Sequence, residues 1–490
     1  MLLKVKSLKF TAGRPVAILN YKTAKKLSIY VGERIRLKNK HEIIAIVDIS
    51  KKILKENEIA LSEEILKKMK ISEGYAVEVS AAPRPKSLYY IFEKLNGKTL
   101  NCQKIETIIK DTVNNALTES EIAYFISGVY IHGMNDKELI SLTKSMVNTG
   151  KKIEIKNAVD KHSIGGVAGN RVTPIVIPIC SAAGLTMPKT SSRAITSAAG
   201  TADVMECFCK VDFSAEEIKK IVKKVNACMV WGGSLNLAPA DDKIIQVERV
   251  LGLDPEVQLL ASILSKKLAI GAKYVLIDIP YGKSAKVDEE RAKKLSKKFE
   301  KVGKLLGLKL KTILSDGSQP IGNGIGPILE ALDVYSVLSQ DPNRPSDLEK
   351  KSLLISSKIL EMTRKAKKGE GLKIASEILK SKKALSQFHK IIEAQGGKDH
   401  FKEKLKLAKL SYNIKSNASG KVKEIDNKKI ATLALTLGCP ADKPSGVYLH
   451  VHKDFNVKKG DLLLTLYAET KEKLNYAKKA YSYLRPILIK

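Results

Sequence analysis

The chain has 490 residues, too many for one hydrophobic core; at roughly 100–200 residues per domain, about three are expected. Apolar residues make up 44%, without repeats or low-complexity tracts, which excludes a mostly disordered chain. Lys and Arg number 86 against 52 acidic residues, a formal charge of +34; the lysines are scattered and aromatics reach only 5%, so a solvated Lys- and Glu-rich surface of the hyperthermophile kind explains the charge more simply than a nucleic-acid interface.

The N-terminal MLLKVKSLKF alternates apolar and basic residues like a strand and carries no apolar signal core. The longest apolar stretch, residues 175–187, is interrupted by Pro178 and Gly184 and falls short of the roughly 18–20 residues of a membrane span. A cytoplasmic protein without membrane contact is expected.

Residues 1–84 read as β-rich: LKVKSLKF, AILN, RIRLK, EIIAIVDIS and YAVEVSAA are short strand-like runs between turns. AAPRPKS is a linker. From 88 to 155 the apolar spacing becomes helical, with Thr118 and Glu121 forming a capping box and Gly128, Gly133 and Gly150 marking weak points or ends. Residues 155–340 alternate glycine-rich loops, strands such as KYVLIDI and helices such as AEEIKKIVKKVNA, the grammar of an α/β domain. Residues 344–410 are helical and Lys-rich, and strands with a terminal helix follow from 411. The expectation is an α+β multidomain chain. It comprises an N-terminal β-rich, barrel-like domain (1–84), a helical domain (88–155 plus 238–270), a large α/β domain with a mixed sheet (156–237 plus 271–410) and a C-terminal α+β unit (411–490).

Six cysteines show no disulfide framework; Cys207 and Cys209 form a CxC without a second pair, which reads as free thiols rather than a metal site. His450 and His452 sit two apart on an expected strand, with no third ligand in view.

Two segments carry chemistry. In DKHSIGGVAGNRV, Lys161, His162 and Ser163 precede Gly165, Gly166 and Gly169. Glycines let backbone N–H groups approach an anion, Lys supplies charge and Ser a hydroxyl, so this loop suits phosphate. It is not a P-loop, because the Lys precedes the glycines. In MPKTSSRAITSAAGTADVMECF, the hydroxyls of Thr190, Ser191, Ser192, Thr196, Ser197 and Thr201 surround Arg193, which suits a second phosphate or a sugar, although a Ser/Thr-rich turn before a capped helix is the plainer account. Further on, ASILSKKLA places Ser262 and Lys266 on one helix face, and KYVLIDIPYGKSAK puts Lys283 and Lys286 at a strand's carboxyl end, where α/β ligands bind.

KHSIGGV, SRAITSAAGTADVME, ASILSKKLA and DGSQPIGNGIGP occur in the order and spacing of the thymidine/pyrimidine-nucleoside phosphorylase family, which residues 88–490 resemble. The additional N-terminal β domain and SRAITS resemble that family's archaeal AMP-cleaving branch over the whole chain. The resemblance implies phosphorolysis of nucleoside 5′-monophosphates: AMP and phosphate give adenine and ribose 1,5-bisphosphate. It places inorganic phosphate at Lys161, Ser163, Ser192 and Thr201. It places the nucleotide at Gly166, Ser192, Arg193, Ala194, Ile195, Thr196, Ser197, Thr201, Ser262 and Lys286. His162 and Lys266 are further candidates, Lys266 near the base. Asp254 matches the proton donor, although LGLDPEV also makes it a good helix cap. No cofactor or metal is implied, phosphate being a co-substrate, and a homodimer or larger homo-oligomer is expected. The alternatives are a thymidine or pyrimidine-nucleoside phosphorylase and, from another class, a basic nucleic-acid-binding protein.

Overall fold

A computed structural model describes the chain apart from residues 195, 196, 254 and 399–404. The described residues divide into two units, Met1–Lys151 with Ala238–Ser265, and Lys152–Leu237 with Lys266–Lys490.

The first unit begins with β1 (Leu2–Lys6), β2 (Val16–Asn20), α1 (Tyr21–Lys26), β3 (Arg34–Lys38), β4 (Glu42–Ser50), β5 (Glu58–Leu61), α2 (Glu63–Met69) and β6 (Ala76–Ala81). Their period-2 apolar residues, including Leu3, Val5, Leu19, Ile35, Leu37, Val77 and Val79, turn inward, and the strands close a barrel in the order β1-β5-β2-β4-β3-β6. β6 pairs with both β1 and β3, so no edge is left open.

Four helices follow: α3 (Ser87–Leu95), α4 (Cys102–Val113), α5 (Glu119–His132) and α6 (Asp136–Asn148). The expected capping box at Thr118 and Glu121 starts α5, and Asn135 with Glu138 makes another at α6. Gly128 lies inside α5 rather than at an end. A Cβ there would meet the Lys94 and Leu95 backbone of α3 at 3.2 Å, so glycine permits the close helix crossing. Lys94 and Glu138 form a buried ion pair at 3.0 Å.

The second unit opens with β7 (Ala158–Ser163), α7 (Thr173–Ala182), β8 (Met187–Ser191), α8 (Thr201–Met205), α9 (Ala215–Val225) and β9 (Ala227–Trp231). α10 (Pro239–Leu251) belongs to the first unit. α11 (Glu256–Ala269) carries Ser262 in the first unit and Lys266 in the second. Then come β10 (Ala272–Tyr281), α12 (Glu289–Leu305), β11 (Lys309–Asp316), β12 (Gly324–Ile325), α13 (Pro327–Ser339), α14 (Ser346–Met362), α15 (Gly371–Lys380) and α16 (Lys383–Ala394). Where a mixed sheet is expected, β11, β10 and β7 all run parallel, as do β8 and β9; helical crossovers return each strand in the same direction. Among the described residues of this unit, antiparallel pairing is confined to β12 and the C-terminal strands: β13 (Leu410–Lys415), β14 (Gly420–Ile425), β15 (Gly446–Leu449), β16 (Asn456–Val457), β17 (Leu462–Ala468) and β18 (Ile487–Ile489). α17 (Asn427–Thr436) and α18 (Lys471–Leu484) pack with these strands around Ile430, Leu433, Leu464 and Ala477.

Candidate active site

β7 and β10 lie side by side with Leu276 opposite Lys161 and Asp278 opposite Ser163, so their polar residues gather at the strands' carboxyl ends. Side chains alternate along β7, sending Asp160 and His162 to one face and Lys161 and Ser163 to the other.

On the first face Asp160 is a buried hub. Lys267 Nζ lies 2.5 Å and Lys189 Nζ 3.5 Å from its carboxylate, and the Lys161 N–H donates to it at 2.7 Å. Burial opposes its charge, but Lys189 and Lys267 outweigh that and hold it below the usual carboxylate range. Burial pushes Lys189 down to about 7 despite Asp160. Burial, reinforced by Lys267, Lys189, Lys161 and Lys266, drives His162 well below its ordinary value, which favours the neutral imidazole.

On the second face Lys161 Nζ donates to Thr173 Oγ1 at 3.2 Å. Burial lowers Lys161 to about 7; Asp278 resists this, while Lys351 and Arg171 add to it. Asp278 accepts from Ser163 Oγ at 2.9 Å and from Ser315 Oγ at 2.6 Å, and lies 3.3 Å from Lys351 Nζ. Asn170 Nδ2 donates to Ser163 Oγ at 3.3 Å. Lys161 and Lys351 thus share the one carboxylate of Asp278, an excess of positive charge that suits an anion, while Arg171, which also bears on Lys161, is paired with Glu330.

Two glycines shape the surrounding loops. Gly166 has φ +87°, and a Cβ there would lie 2.5 Å from Lys286 N; only glycine allows the two loops to touch. At Gly200 a Cβ would sit 2.5 Å from Ser192 O and 2.6 Å from Ala194 N, so this glycine folds the hydroxyl-rich segment back on itself. Arg171 holds the same turn: its guanidinium bonds Glu330 at 2.6 Å, Thr201 Oγ1 at 2.9 Å and Ala199 O at 2.8 Å.

The Arg193 guanidinium is engaged by protein. It pairs with Glu206 at 2.9 and 2.7 Å, approaches Asp203 at 3.5 Å and lies 4.9 Å from the Trp231 ring centroid. The Arg193 hydrogen bond, despite partial burial, pulls Glu206 down to about 2. Asp203 accepts from the N–H groups of Ala194 and Gly200 at 2.7 and 2.8 Å. The cation expected to face a phosphate therefore organises the turn, leaving exposed Ser192 and Ser197 beside it. Ser262 donates to Asp241 at 2.8 Å in the first unit. Lys266 and Lys286 are half-buried in the second. Ile195, Thr196 and Asp254 lie outside the described residues.

Sequence reasoning passed over Asp160, Asp278, Arg171, Lys189, Lys267 and Lys351. The available signal was an acid within an apolar strand, as in KYVLIDIP. His450 and His452 fall just beyond β15 and bond Thr465 and Asn323, each at 2.9 Å. Among the described residues no group of three His, Cys, Asp or Glu is placed to hold a metal, and no helix is long and apolar enough to cross a membrane.

Residues 155–385 match the model of the glycosyl transferase family a/b domain and residues 89–150 that family's helical bundle domain. Residues 421–487 match the pyrimidine nucleoside phosphorylase C-terminal domain. The chain is 42% identical to the AMP phosphorylase of Methanococcus aeolicus, over 98% of this chain and 97% of that one. It is also 42% identical to the AMP phosphorylase of Pyrococcus furiosus, over 99% and 97%. For the AMP phosphorylase of Thermococcus kodakarensis the identity is 43%, over 97% and 95%. Among solved structures, anthranilate phosphoribosyltransferase from Thermus thermophilus aligns with a TM-score of 0.52, covering 63% of this chain and 99% of that one at 15% identity, a likeness of fold alone.

Proposed function

The chain belongs to the AMP phosphorylase family, and on that premise we propose that it cleaves nucleoside 5′-monophosphates with inorganic phosphate, AMP giving adenine and ribose 1,5-bisphosphate. The structural observation that carries this reading is the buried Lys161, with Lys351, around Asp278 where β7 and β10 end. Breaking the glycosidic C–N bond builds positive charge on the ribose and negative charge on the departing base. A bound phosphate anion stabilises the first, and a general acid relieves the second.

Lys161, Ser163, Ser192 and Thr201 take inorganic phosphate in this scheme. Gly166, the segment Ser192, Arg193, Ala194, Ile195, Thr196 and Ser197, and Thr201, Ser262 and Lys286 take the nucleotide. Arg193 contributes through its main chain, since its guanidinium is committed to Glu206. Neutral His162 hydrogen-bonds, Lys266 stands near the base, and Asp254 protonates it. No cofactor enters the reaction. The charged substrates do not leave a cell unaided, which supports a cytoplasmic site of action, and a homodimer or larger assembly is our reading of its oligomeric state.

Phosphate-dependent base release from a panel of nucleosides and 5′-nucleotides tests the scheme. AMP is expected to react and adenosine to react poorly, because adenosine forgoes the charge-assisted hydrogen bonds that a 5′-phosphate makes. Comparable turnover of adenosine would replace this reading with a nucleoside phosphorylase.

A further inference from the structure

The C-terminal part of the second unit reaches the candidate site through one buried amide. Asn427, the first residue of α17, is 2% exposed. Its Oδ1 accepts from Ala168 N at 3.1 Å, and its Nδ2 donates to Ser284 Oγ at 3.0 Å and to Gly317 O at 2.9 Å. Its own backbone N–H donates to Ser284 Oγ at 3.1 Å. Ala168, Ser284 and Gly317 lie on different loops, those following the carboxyl ends of β7, β10 and β11.

We infer that Asn427 is a positioning residue, which sets the spacing of the three strand-end loops and so the shape of the phosphate and nucleotide site; the inference rests on the function proposed above. Ala168 is two residues from Gly166, and Ser284 is two residues from Lys286. Gly166 in turn touches the Lys286 backbone so closely that no Cβ fits between them. A shift in either loop therefore alters the other. Only a side chain with an acceptor and a two-hydrogen donor at one end satisfies all three loops from this point, which an amide does. Losing it takes these side-chain partners from the partly buried Ala168 N–H and the buried Gly317 carbonyl and leaves Ser284 Oγ with the residue-427 N–H alone, and the loops can replace them only by moving.

Binding of inorganic phosphate to the full chain, followed by calorimetry, tests this without requiring turnover. Asn427→Ala is expected to bind phosphate roughly tenfold more weakly, and Ser284→Ala, which removes one loop's contact from the other side, to weaken it several-fold. The double variant should lose less than the sum of the two single losses, because both changes break the same side-chain bond, and only the bond from the residue-427 N–H to Ser284 Oγ is lost by Ser284→Ala alone. Glu424→Gln, which removes an exposed ion pair with Lys283 of the β10 loop, should leave phosphate affinity unchanged. Wild-type phosphate affinity in Asn427→Ala with only a lower melting temperature, strictly additive losses in the double variant, or an equal loss in Glu424→Gln would each overturn the inference. Should Asn427→Ala fail to fold, Ser284→Ala decides alone, and unchanged affinity there overturns it. Wild-type protein that binds phosphate yet releases no adenine from AMP would refute the proposed function and leave this comparison intact.

Discussion

Lys161 has no solvent to stabilise its charge, and its proton equilibrium therefore reports on the anion it meets. Because burial holds it at about 7 in the folded chain, against an ordinary value of about 10.4, the unfolded chain binds more protons between those limits. Its contribution to stability is accordingly least below pH 7 and grows as pH rises towards 10. Anion affinity has the opposite slope, because an anion favours the charged amine. Sulfate, which stays a dianion across this range, should compete with phosphate best near pH 6.5 and lose up to about tenfold per pH unit above 7. Equal sulfate inhibition at pH 6.5 and 8.5 would contradict the assignment. Lys161→Ala should abolish nearly all turnover, with a loss on the order of 2–5 kcal/mol in phosphate binding, read from kcat/KM for phosphate. Asp254→Asn preserves capping capacity, so its melting curve should match wild type while kcat for AMP falls by roughly 10²–10⁴ and kcat for UMP falls less. Small, equal losses would refute the acid role proposed for Asp254. That Lys161 and Ser163 stand before a glycine loop could be read from KHSIGG, but depth could not. Lysines read as surface residues, and nothing local distinguishes Lys189, Lys267 and Lys351, at 4%, 2% and 8% exposure, from the many that face water.

Elements were legible where their period is long and their ends are marked. The capping box of α5, the amphipathic α9 and the apolar β10 are examples. The short β5 and the helices α1 and α2 lie inside a stretch that reads simply as β-rich. A four-residue strand and two helices of six and seven residues carry too few periods to stand out, and barrel closure rather than propensity fixes them. Loops differ again, since their constraint is contact. Gly166→Ala would force a Cβ into the Lys286 backbone at a positive φ, a strain of about 1–3 kcal/mol. We expect higher KM for both phosphate and AMP. Thr118→Ala removes a helix cap of about 1 kcal/mol in the other unit and should lower the melting temperature with both KM values unchanged. Matching kinetic losses in the two variants would show that activity follows general stability rather than the Gly166 contact.

At the scale of the molecule, the +34 charge is spread over an ion-paired surface, with Glu–Lys pairs one turn apart on α2, α4 and α12. Such exposed pairs are each worth little, and at 0.15 M salt charges more than about 8 Å apart are screened. Retention on DNA should therefore appear only at low ionic strength and vanish near 0.2 M; persistence beyond that would revive the nucleic-acid alternative. The joining of the barrel with the helical bundle could not be read from composition, because it uses side chains far apart in sequence, among them one buried arginine. Arg34 of β3 donates to Ala116 O at 2.5 Å and pairs with Glu121 at the start of α5.

The chain order of the first unit also has a consequence for synthesis. The barrel has its whole core within the first 81 residues and can fold as soon as they leave the ribosome. The helices beside it must wait. α10 packs on α4 and α5, and Lys243 caps the end of α4 by donating to Thr112 O at 2.8 Å and Val113 O at 3.0 Å. Residues 152–237 of the second unit are made in between. During their translation the nascent bundle lacks the helix that covers it, so slowing elongation across that stretch should lengthen the interval in which its apolar face is open to chaperones or to aggregation.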